Sequence, residues 1–398
     1  MIKTNAKKNV FYFVLILGIA NFFADATYEG ARSILGPFLG SLGASATIIG
    51  FVAGFAEFIG YSFRAVTGIF ADRTRQYWLF VFVGYAINLL AVPALALADN
   101  WPLAAVLIVA ERTGRAIRRP SVEAMLSFTT KKLGHGWVFG FNEALDQAGA
   151  TFGPLIVSLV IYLKGGYKEA FAYLLIPALL CLTTILIAWF FYRHPHQFEE
   201  ENQETSQRIS KKSYWLYLLG GCLIAAGFAD FALISFHFQK QHIISTNIIP
   251  VLYSIAMATG AIASLVFGRL LDKFGFTIFL FAFFLSSFFA PFAFSNSMML
   301  VIMGTVLWGL GLGTQESLLK AELSKVISSK ERGSGFGIFD TVFGTGWFIG
   351  SALMGWLYDH SVITLMIFSV VSMLGAIPIF MLANKFVLHD LTKRPVES

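Results

Sequence analysis

Of the 398 residues, 57% are hydrophobic and only 13% charged, with 42 Phe and 8 Trp. About a quarter of the residues in ordinary soluble domains are charged, so this composition excludes a water-soluble globule and leaves lipid as the main solvent. The formal charge of +6 is spread over short loops, so it calls for no nucleic-acid partner.

An apolar run of about 20 residues crosses a bilayer core, and lipid cannot satisfy bare backbone groups, so each such run is predicted to be a helix. Twelve runs follow one another. The first, 10–35, comes after Lys3, Lys7 and Lys8. Its Ala-Asp-Ala stretch at 24–26 resembles a signal-peptide cleavage site, but cleavage there would leave eleven helices and break the charge topology described below. Runs at 46–71, 77–98, 101–128, 136–163 and 169–192 complete a first set of six. The polar segment RHPHQFEEENQETSQRISKK carries both charge signs without apolar periodicity and reads as a solvated linker. Six more runs follow at 214–238, 247–271, 275–294, 298–324, 333–357 and 362–386. The expected architecture is an all-α membrane protein of 12 transmembrane helices in two pseudo-symmetric six-helix bundles. These bundles are 1–192 and 214–398, joined by a cytoplasmic linker at 193–213.

The loops on one side hold Lys7, Lys8, Arg73, Arg75, Lys131, Lys132, Lys211, Lys212, Arg269, Lys273, Lys330, Arg332, Lys393 and Arg394; the opposite loops hold little beyond Lys164, Lys168 and Lys240. The positive-inside rule then predicts a multi-pass plasma-membrane protein with both termini cytoplasmic. Cys181 and Cys222 sit inside apolar runs and read as small hydrophobes rather than a disulfide.

Charges within the spans fall on faces. The first span carries Asn21, Asp25, Glu29 and Arg32 at spacings of four, four and three, a single helical stripe. The second adds Glu57 and Arg64. In the fourth, Glu111, Arg115 and Arg118 share one face, with Arg112, Arg119 and Glu123 about 100° round. The fifth carries Asn142, Glu143, Asp146 and Gln147; Asp230, Glu316, Lys320 and Asp340 follow in the seventh, tenth and eleventh. Charge facing lipid is expensive, so these faces should turn inward, either to mark a transport pathway or as an internal ion-pair network that only holds the first, fourth and fifth helices together. Arg118, Arg119, Lys320 and Glu322 read differently, as cytoplasmic-end groups that pair in salt bridges latching the halves or simply snorkel. Proton coupling requires a carboxyl that is neutral in one state and ionised in another. Burial favours the first form and a nearby guanidinium the second. Asp25, Glu29 and Glu143 are the candidates for that role, with Arg112 as the modulating charge.

The halves repeat. GIFADR at 68–73 and GRLLDK at 268–273 both read Gly-x-x-x-Asp-basic, 200 residues apart. Gly140, Gly149 and Gly153 recur as Gly337, Gly346 and Gly350, 197 residues on. Such repeats are frequent in transporters, whose substrate sites lie at the repeat interface. Gly149 and Gly153 let two helix backbones approach closely, and Pro154 removes a backbone donor; together they suit either a hinge or plain packing.

These residues resemble the major facilitator superfamily over nearly the whole chain. Gly68, Asp72 and Arg73 look like its motif A, with Gly268, Asp272 and Lys273 as the second copy; Arg112 looks like its motif B arginine. Gly140, Gly149 and Gly153-Pro154 are similar to motif C, which in that family accompanies proton-coupled drug antiporters, although Val157-Ser158 replaces its closing glycine pair. The stretch ERTGRAIRRPSVEAM at 111–125 also resembles an Arg-rich signature of one bacterial subgroup. The resemblance implies gating roles for Gly68, Asp72, Arg73, Gly140, Gly149, Gly153, Pro154, Gly268, Asp272 and Lys273. It also implies coupling or substrate roles among Asp25, Glu29, Arg32, Glu57, Arg112, Arg115, Glu143, Asp146, Asp230 and Asp340. The expected function is proton-coupled efflux of a small organic solute by a monomer in a bacterial inner membrane. The alternative is a proton symporter or facilitator taking up an anionic or zwitterionic metabolite. All seven histidines lie in loops or near helix ends, and neither H-E-x-x-H nor G-x-S-x-G occurs. No enzyme, metal site or cofactor is therefore expected.

Overall fold

The computed structural model describes residues 2–193, 211–327 and 332–392, without the side chains of 2–7, 131–132, 135–136, 332–333 and 389–392. Except at its two ends, the expected linker 193–213 lies outside the described residues. The long helices are α1 (Ile2–Arg32), α2 (Ala46–Thr74), α3 (Tyr77–Ala94), α4 (Trp101–Ser127), α5 (His135–Lys164) and α6 (Tyr167–Phe191, interrupted at Leu174). They continue with α7 (Lys211–Lys240, interrupted at Phe228–Asp230), α8 (Ile249–Phe274), α9 (Phe276–Ala293), α10 (Met298–Ser324), α11 (Arg332–His360) and α12 (Val362–Thr392). Eleven of them are long and apolar enough to cross a membrane. The other, α4, has the length at 27 residues but carries Glu111, Arg112, Arg115, Arg118, Arg119 and Glu123. Side chains such as Leu163, Phe190, Phe191, Leu265, Ile363 and Val371 are exposed, as expected of surface solvated by acyl chains rather than water.

The chain forms two compact units. The first comprises Met1–Gly43, Phe63–Gln203 and Ser245–Ser254; the second comprises Ala44–Ser62, Glu204–Ile244 and Ile255–Ser398. The first unit therefore includes the opening turns of α8. Ser254 Oγ donates to the Thr151 carbonyl (2.7 Å) and Ser158 Oγ to the Asn247 carbonyl (2.6 Å), fastening that segment to α5. The second unit includes the first half of α2. There Gly50 and Gly54 lie against Ser351 and Phe348 of α11, Thr47 donates to Asp359 through both N–H (2.9 Å) and hydroxyl (2.7 Å), and Phe51, Phe55 and Phe58 surround Phe348.

The internal repeat is visible as geometry inside each unit. In the first, Gly149 and Gly153 of α5 press on the carbonyls of Phe22 and Ala26 in α1. In the second, Gly346 and Gly350 of α11 press on those of Cys222 and Ala226 in α7. The glycines thus hold paired helices at backbone contact, where association has little hydrophobic drive. Likewise Arg75 N–H bonds the Ala71 carbonyl and Gly275 N–H the Leu271 carbonyl, both at 2.8 Å and both at positive φ (53° and 68°). Gly140, by contrast, has nothing within 4 Å of an added Cβ. Gly153→Ala is expected to lower the thermal midpoint in detergent, the clash costing about 1–3 kcal/mol, while Gly140→Ala leaves it unchanged. Equal midpoints for the two variants would contradict the seam.

Candidate functional site

The first unit encloses a polar network built from α1, α3, α4 and α5. The α1 stripe turns inward as its spacing requires: Asn21, Asp25, Glu29 and Arg32 are all buried. On α3, Tyr85 and Asn88 are fully buried within an otherwise apolar run. Gly84 and Gly114 bring α3 and α4 to backbone contact, which lets the short Asn88 amide reach α4.

At the centre lies Arg118, 4% exposed. Its Nε donates to Asn88 Oδ1 (3.2 Å), its Nη1 reaches Asn21 Oδ1 (3.5 Å), and its Nη2 stands 4.0 Å from Asp25 Oδ1. The guanidinium also lies 4.4 Å above the Tyr85 ring, a cation–π contact that matters more without water. Tyr85 Oη donates to Asn21 Oδ1 (2.5 Å), and Asn21 Nδ2 donates to Asn142 Oδ1 (3.0 Å), carrying the network to α5. Asn142 in turn donates to Asp146 Oδ2 (3.3 Å).

The carboxyls are held in two different ways. Glu111 Oε2 accepts directly from Arg112 (2.7 Å) and Oε1 from Asn88 (2.7 Å). That is a tight, charge-assisted arrangement. Asp25 and Glu29 instead take their short contacts from phenols. Tyr28 Oη donates to Asp25 (2.5 Å) and Tyr253 Oη donates to Glu29. Their nearest guanidinium nitrogens stand off: Arg118 at 4.0 Å from Asp25, and Arg115 and Arg32 at 3.8 and 3.9 Å from Glu29. Those separations exceed hydrogen-bond length. Arg115 rests 4.4 Å over the Tyr28 ring. Beside this pair, Tyr28, Arg32, Glu111, Arg112, Val92 and Ile108 line a cleft of about 230 Å³.

The other expected residues are placed as follows. Glu143 is exposed and accepts from Gln147 (2.8 Å) along its own helix; it does not share the buried setting expected of a coupling carboxyl. Glu57 is buried in the second unit. Asp230 caps the second segment of α7, accepting from Ala232 N–H (2.9 Å). Asp340 lines a cleft with Glu316 and Lys320. Arg119 pairs with Glu123 (2.9 Å) and Glu322 with Lys325 (2.5 Å), in each case with a residue one turn along the chain rather than across the halves. Asp72 and Arg73 are exposed at the end of α2, Asp72 accepting from Tyr77 (3.0 Å), and Asp272 and Lys273 are exposed at the matching place in α8. Gly68 faces Pro120, whereas an added Cβ at Gly268 would meet nothing within 4 Å. Pro154 is buried one residue beyond the Gly153 contact with α1. No group of three His, Cys, Asp or Glu side chains among the described residues could hold a metal.

The spacing of residues places Arg118 at a helix end and makes Arg112 the counter-charge of the α1 acids. The geometry instead puts Arg118 and Arg115 beside them and gives Arg112 to Glu111. It also brings in Tyr28, Tyr85, Asn88 and Tyr253. A lone amide in the apolar run FVFVGYAINLL was the available signal for Asn88. Nothing local marked Tyr253, which arrives from α8.

A family model described as Major Facilitator Superfamily matches residues 17–321 and 222–396. An uncharacterized protein of Mycobacterium tuberculosis (strain ATCC 25618 / H37Rv) is 35% identical over 366 residues, covering 89% of this chain and 88% of that protein. An uncharacterized MFS-type transporter of Methanocaldococcus jannaschii is 28% identical over 366 residues, covering 87% and 89%. Among solved structures, a peptide transporter in complex with alafosfalin superposes with a TM-score of 0.75 at 14% identity, covering 94% of this chain and 95% of that one. At that identity the likeness concerns the fold alone.

Proposed function

The chain belongs to the major facilitator superfamily, and on that premise we propose that it exports a small organic solute in exchange for protons, by alternating access across a bacterial inner membrane. It is a multi-pass membrane transporter and not an enzyme. The six-helix bundles 1–192 and 214–398 are the moving bodies in this reading, and one chain suffices.

One observation carries the coupling: Asp25 and Glu29 are buried carboxyls held by phenols, with guanidiniums 3.8–4.0 Å away rather than in direct contact. A directly bonded pair such as Glu111–Arg112 resists neutralisation, because a protonated partner would strand a buried cation. A carboxyl at one remove can take up a proton with less disruption. Glu29 is the better candidate, since it joins α1 to α4 through Arg115 and to the 245–254 segment through Tyr253. A proton on Glu29 removes the charge that attracts Arg115 and Arg32 and weakens the Tyr253 bond, loosening that segment. Counterflow in proteoliposomes with an imposed pH gradient tests the reading. Solute accumulation against its gradient, reversed when the pH gradient is reversed, is the expected result. Ligand binding without any flux would make the protein a receptor.

A second reading, uptake of an anionic or zwitterionic metabolite, is favoured by the cleft that Arg32 and Arg112 line. The direction of the coupled flux separates the two.

Both termini are cytoplasmic in this reading. A cysteine at Arg75 should be labelled only from inside and one at Lys168 only from outside; the reverse pattern would invert the topology. Asp72→Asn should slow transport several-fold without moving the thermal midpoint. Its exposed carboxylate acts as a latch at a helix terminus, an interaction of about 0.3–1 kcal/mol. Wild-type transport rates in both directions would remove the latch.

A further inference from the structure

The second unit contains a cleft on which two buried polar atoms meet no hydrogen-bond partner among the described residues. α10 passes through a π-helical stretch at Thr314–Leu319. Such stretches are uncommon and recur at functional sites. Three side chains in it donate to carbonyls four residues back: Thr314 to Leu310 (2.8 Å), Gln315 to Gly311 (3.2 Å) and Ser317 to Gly313 (2.6 Å). The Gln315 bond fixes the orientation of its amide. A carbonyl can only accept, so the bonded end is the NH₂ group and the other end is the oxygen. That oxygen, Oε1, is buried and meets no hydrogen-bond partner among the described residues. Across the same cleft, Trp347 Nε1, a donor only, is likewise buried and unpartnered among the described residues. The two residues are 4% and 2% exposed.

Around them the cleft is aromatic. Phe339, Phe343 and Trp347 form a run with centroids 5.5 and 5.9 Å apart, and Tyr61 stands edge-on to Phe343 at 5.4 Å. The cleft opens to one side, with Glu316, Lys320 and Asp340 also on the lining. A buried donor and a buried acceptor without partners each cost stability. Two of them on one aromatic cleft, beside a π-helical turn, form a complementary pair of hydrogen-bonding groups.

We propose that Gln315 and Trp347 form a subsite for a planar solute that carries a donor and an acceptor close together, namely an aromatic carboxamide or an amino-substituted heterocycle. The solute donor bonds Gln315 Oε1, its acceptor takes the indole N–H, and its ring lies among Phe339, Phe343 and Tyr61. This deepens the transporter reading and rests on it.

The test is equilibrium binding of radiolabelled nicotinamide and adenine to the purified full-length protein in detergent, with cyclohexanecarboxamide as a non-planar competitor. Wild-type protein should bind at least one of the two planar probes, and cyclohexanecarboxamide should compete poorly. Gln315→Met and Trp347→Phe should each weaken binding about tenfold or more, the loss expected when one buried hydrogen bond is removed. Ligand-free Gln315→Met should melt close to wild type, because deleting the unpaired acceptor offsets the loss of the bond to the Gly311 carbonyl while side-chain volume is kept. Failure of the wild-type protein to bind either planar probe overturns the subsite, as does unchanged binding in both variants. Proteoliposomes separate this from the broader reading. Probe binding that responds to both variants without any flux keeps the subsite and removes the transporter. Gradient-driven flux of another solute, with no binding of either probe, does the opposite.

Discussion

Replacing Arg118 by methionine is expected to be the most damaging single change in the first unit. The guanidinium is buried, bonds Asn88, reaches Asn21, stands 4.0 Å from Asp25 and covers the Tyr85 ring. Its removal leaves the Asp25 charge and the Asn88 amide oxygen without their cation in a low dielectric. Breaking a buried pair from one side costs about 3–5 kcal/mol. Spread over a unit of this size, that is a fall of roughly 10 °C in the thermal midpoint. Removing the stranded charge as well, in Arg118→Met with Asp25→Asn, should recover part of the loss. Arg118→Lys should not restore stability, because a point ammonium cannot reproduce a planar fork stacked on a ring. Arg119→Met is the control. Its partner Glu123 is exposed, and an exposed pair contributes about 1 kcal/mol or less. Equal midpoints for Arg118→Met and Arg119→Met, measured by thermal unfolding in detergent, would show that Arg118 is not the centre of the network.

Glu29→Gln is expected to separate coupling from transport. Gln keeps the shape and still accepts a hydrogen bond from Tyr253, but it cannot carry a proton. Transport driven by a pH gradient should fall at least about tenfold, a barrier change near 1.4 kcal/mol, while solute exchange without net proton movement survives. Tyr253→Phe should fall in between, since it removes the bond that ties Glu29 to the α8 segment and leaves the carboxyl in place. Glu111→Gln should behave differently, losing stability before coupling, because its carboxylate is bonded directly to Arg112. Full gradient-driven transport by Glu29→Gln would move the proton elsewhere, with Asp25→Asn and Glu143→Gln the next variants to compare.

Much of this was legible one helix at a time. A run of apolar residues must become a helix in lipid, whatever its neighbours, so the twelve spans needed no tertiary information. Even α4 could be read, because its charges fall on faces. The azimuth of the α1 stripe followed from the 3.6-residue period, and all four of its polar residues are buried. The glycine twins at 149/153 and 346/350 predicted close helix contacts, since only a missing Cβ lets backbones meet. Which carbonyls they would meet, those of Phe22, Ala26, Cys222 and Ala226, was not in the pattern.

The partnerships were settled only by packing. Periodicity gives the direction in which a side chain leaves its helix, but not the depth of the neighbouring helix or the register at which it passes. Arg112 and Arg118 are equally plausible partners for Asp25 on a helical wheel. Gly84 against Arg118 and Gly114 against Asn88 set the α3–α4 register, and that register puts Arg118 among Asn21, Asn88 and Asp25 and leaves Arg112 with Glu111. Glu143 lies about 100° from the Asn142–Asp146 face, and packing leaves it exposed while Asn142 is buried. Tyr253 is some 220 residues from Glu29 in sequence, so no local signal could join them. Twelve repeated membrane helices with a charged interior follow from the order of residues alone, because lipid imposes that on each segment separately. Which acid meets which base and which phenol follows from packing, because ion pairing depends on distances of a few ångströms that only the contact between helices fixes.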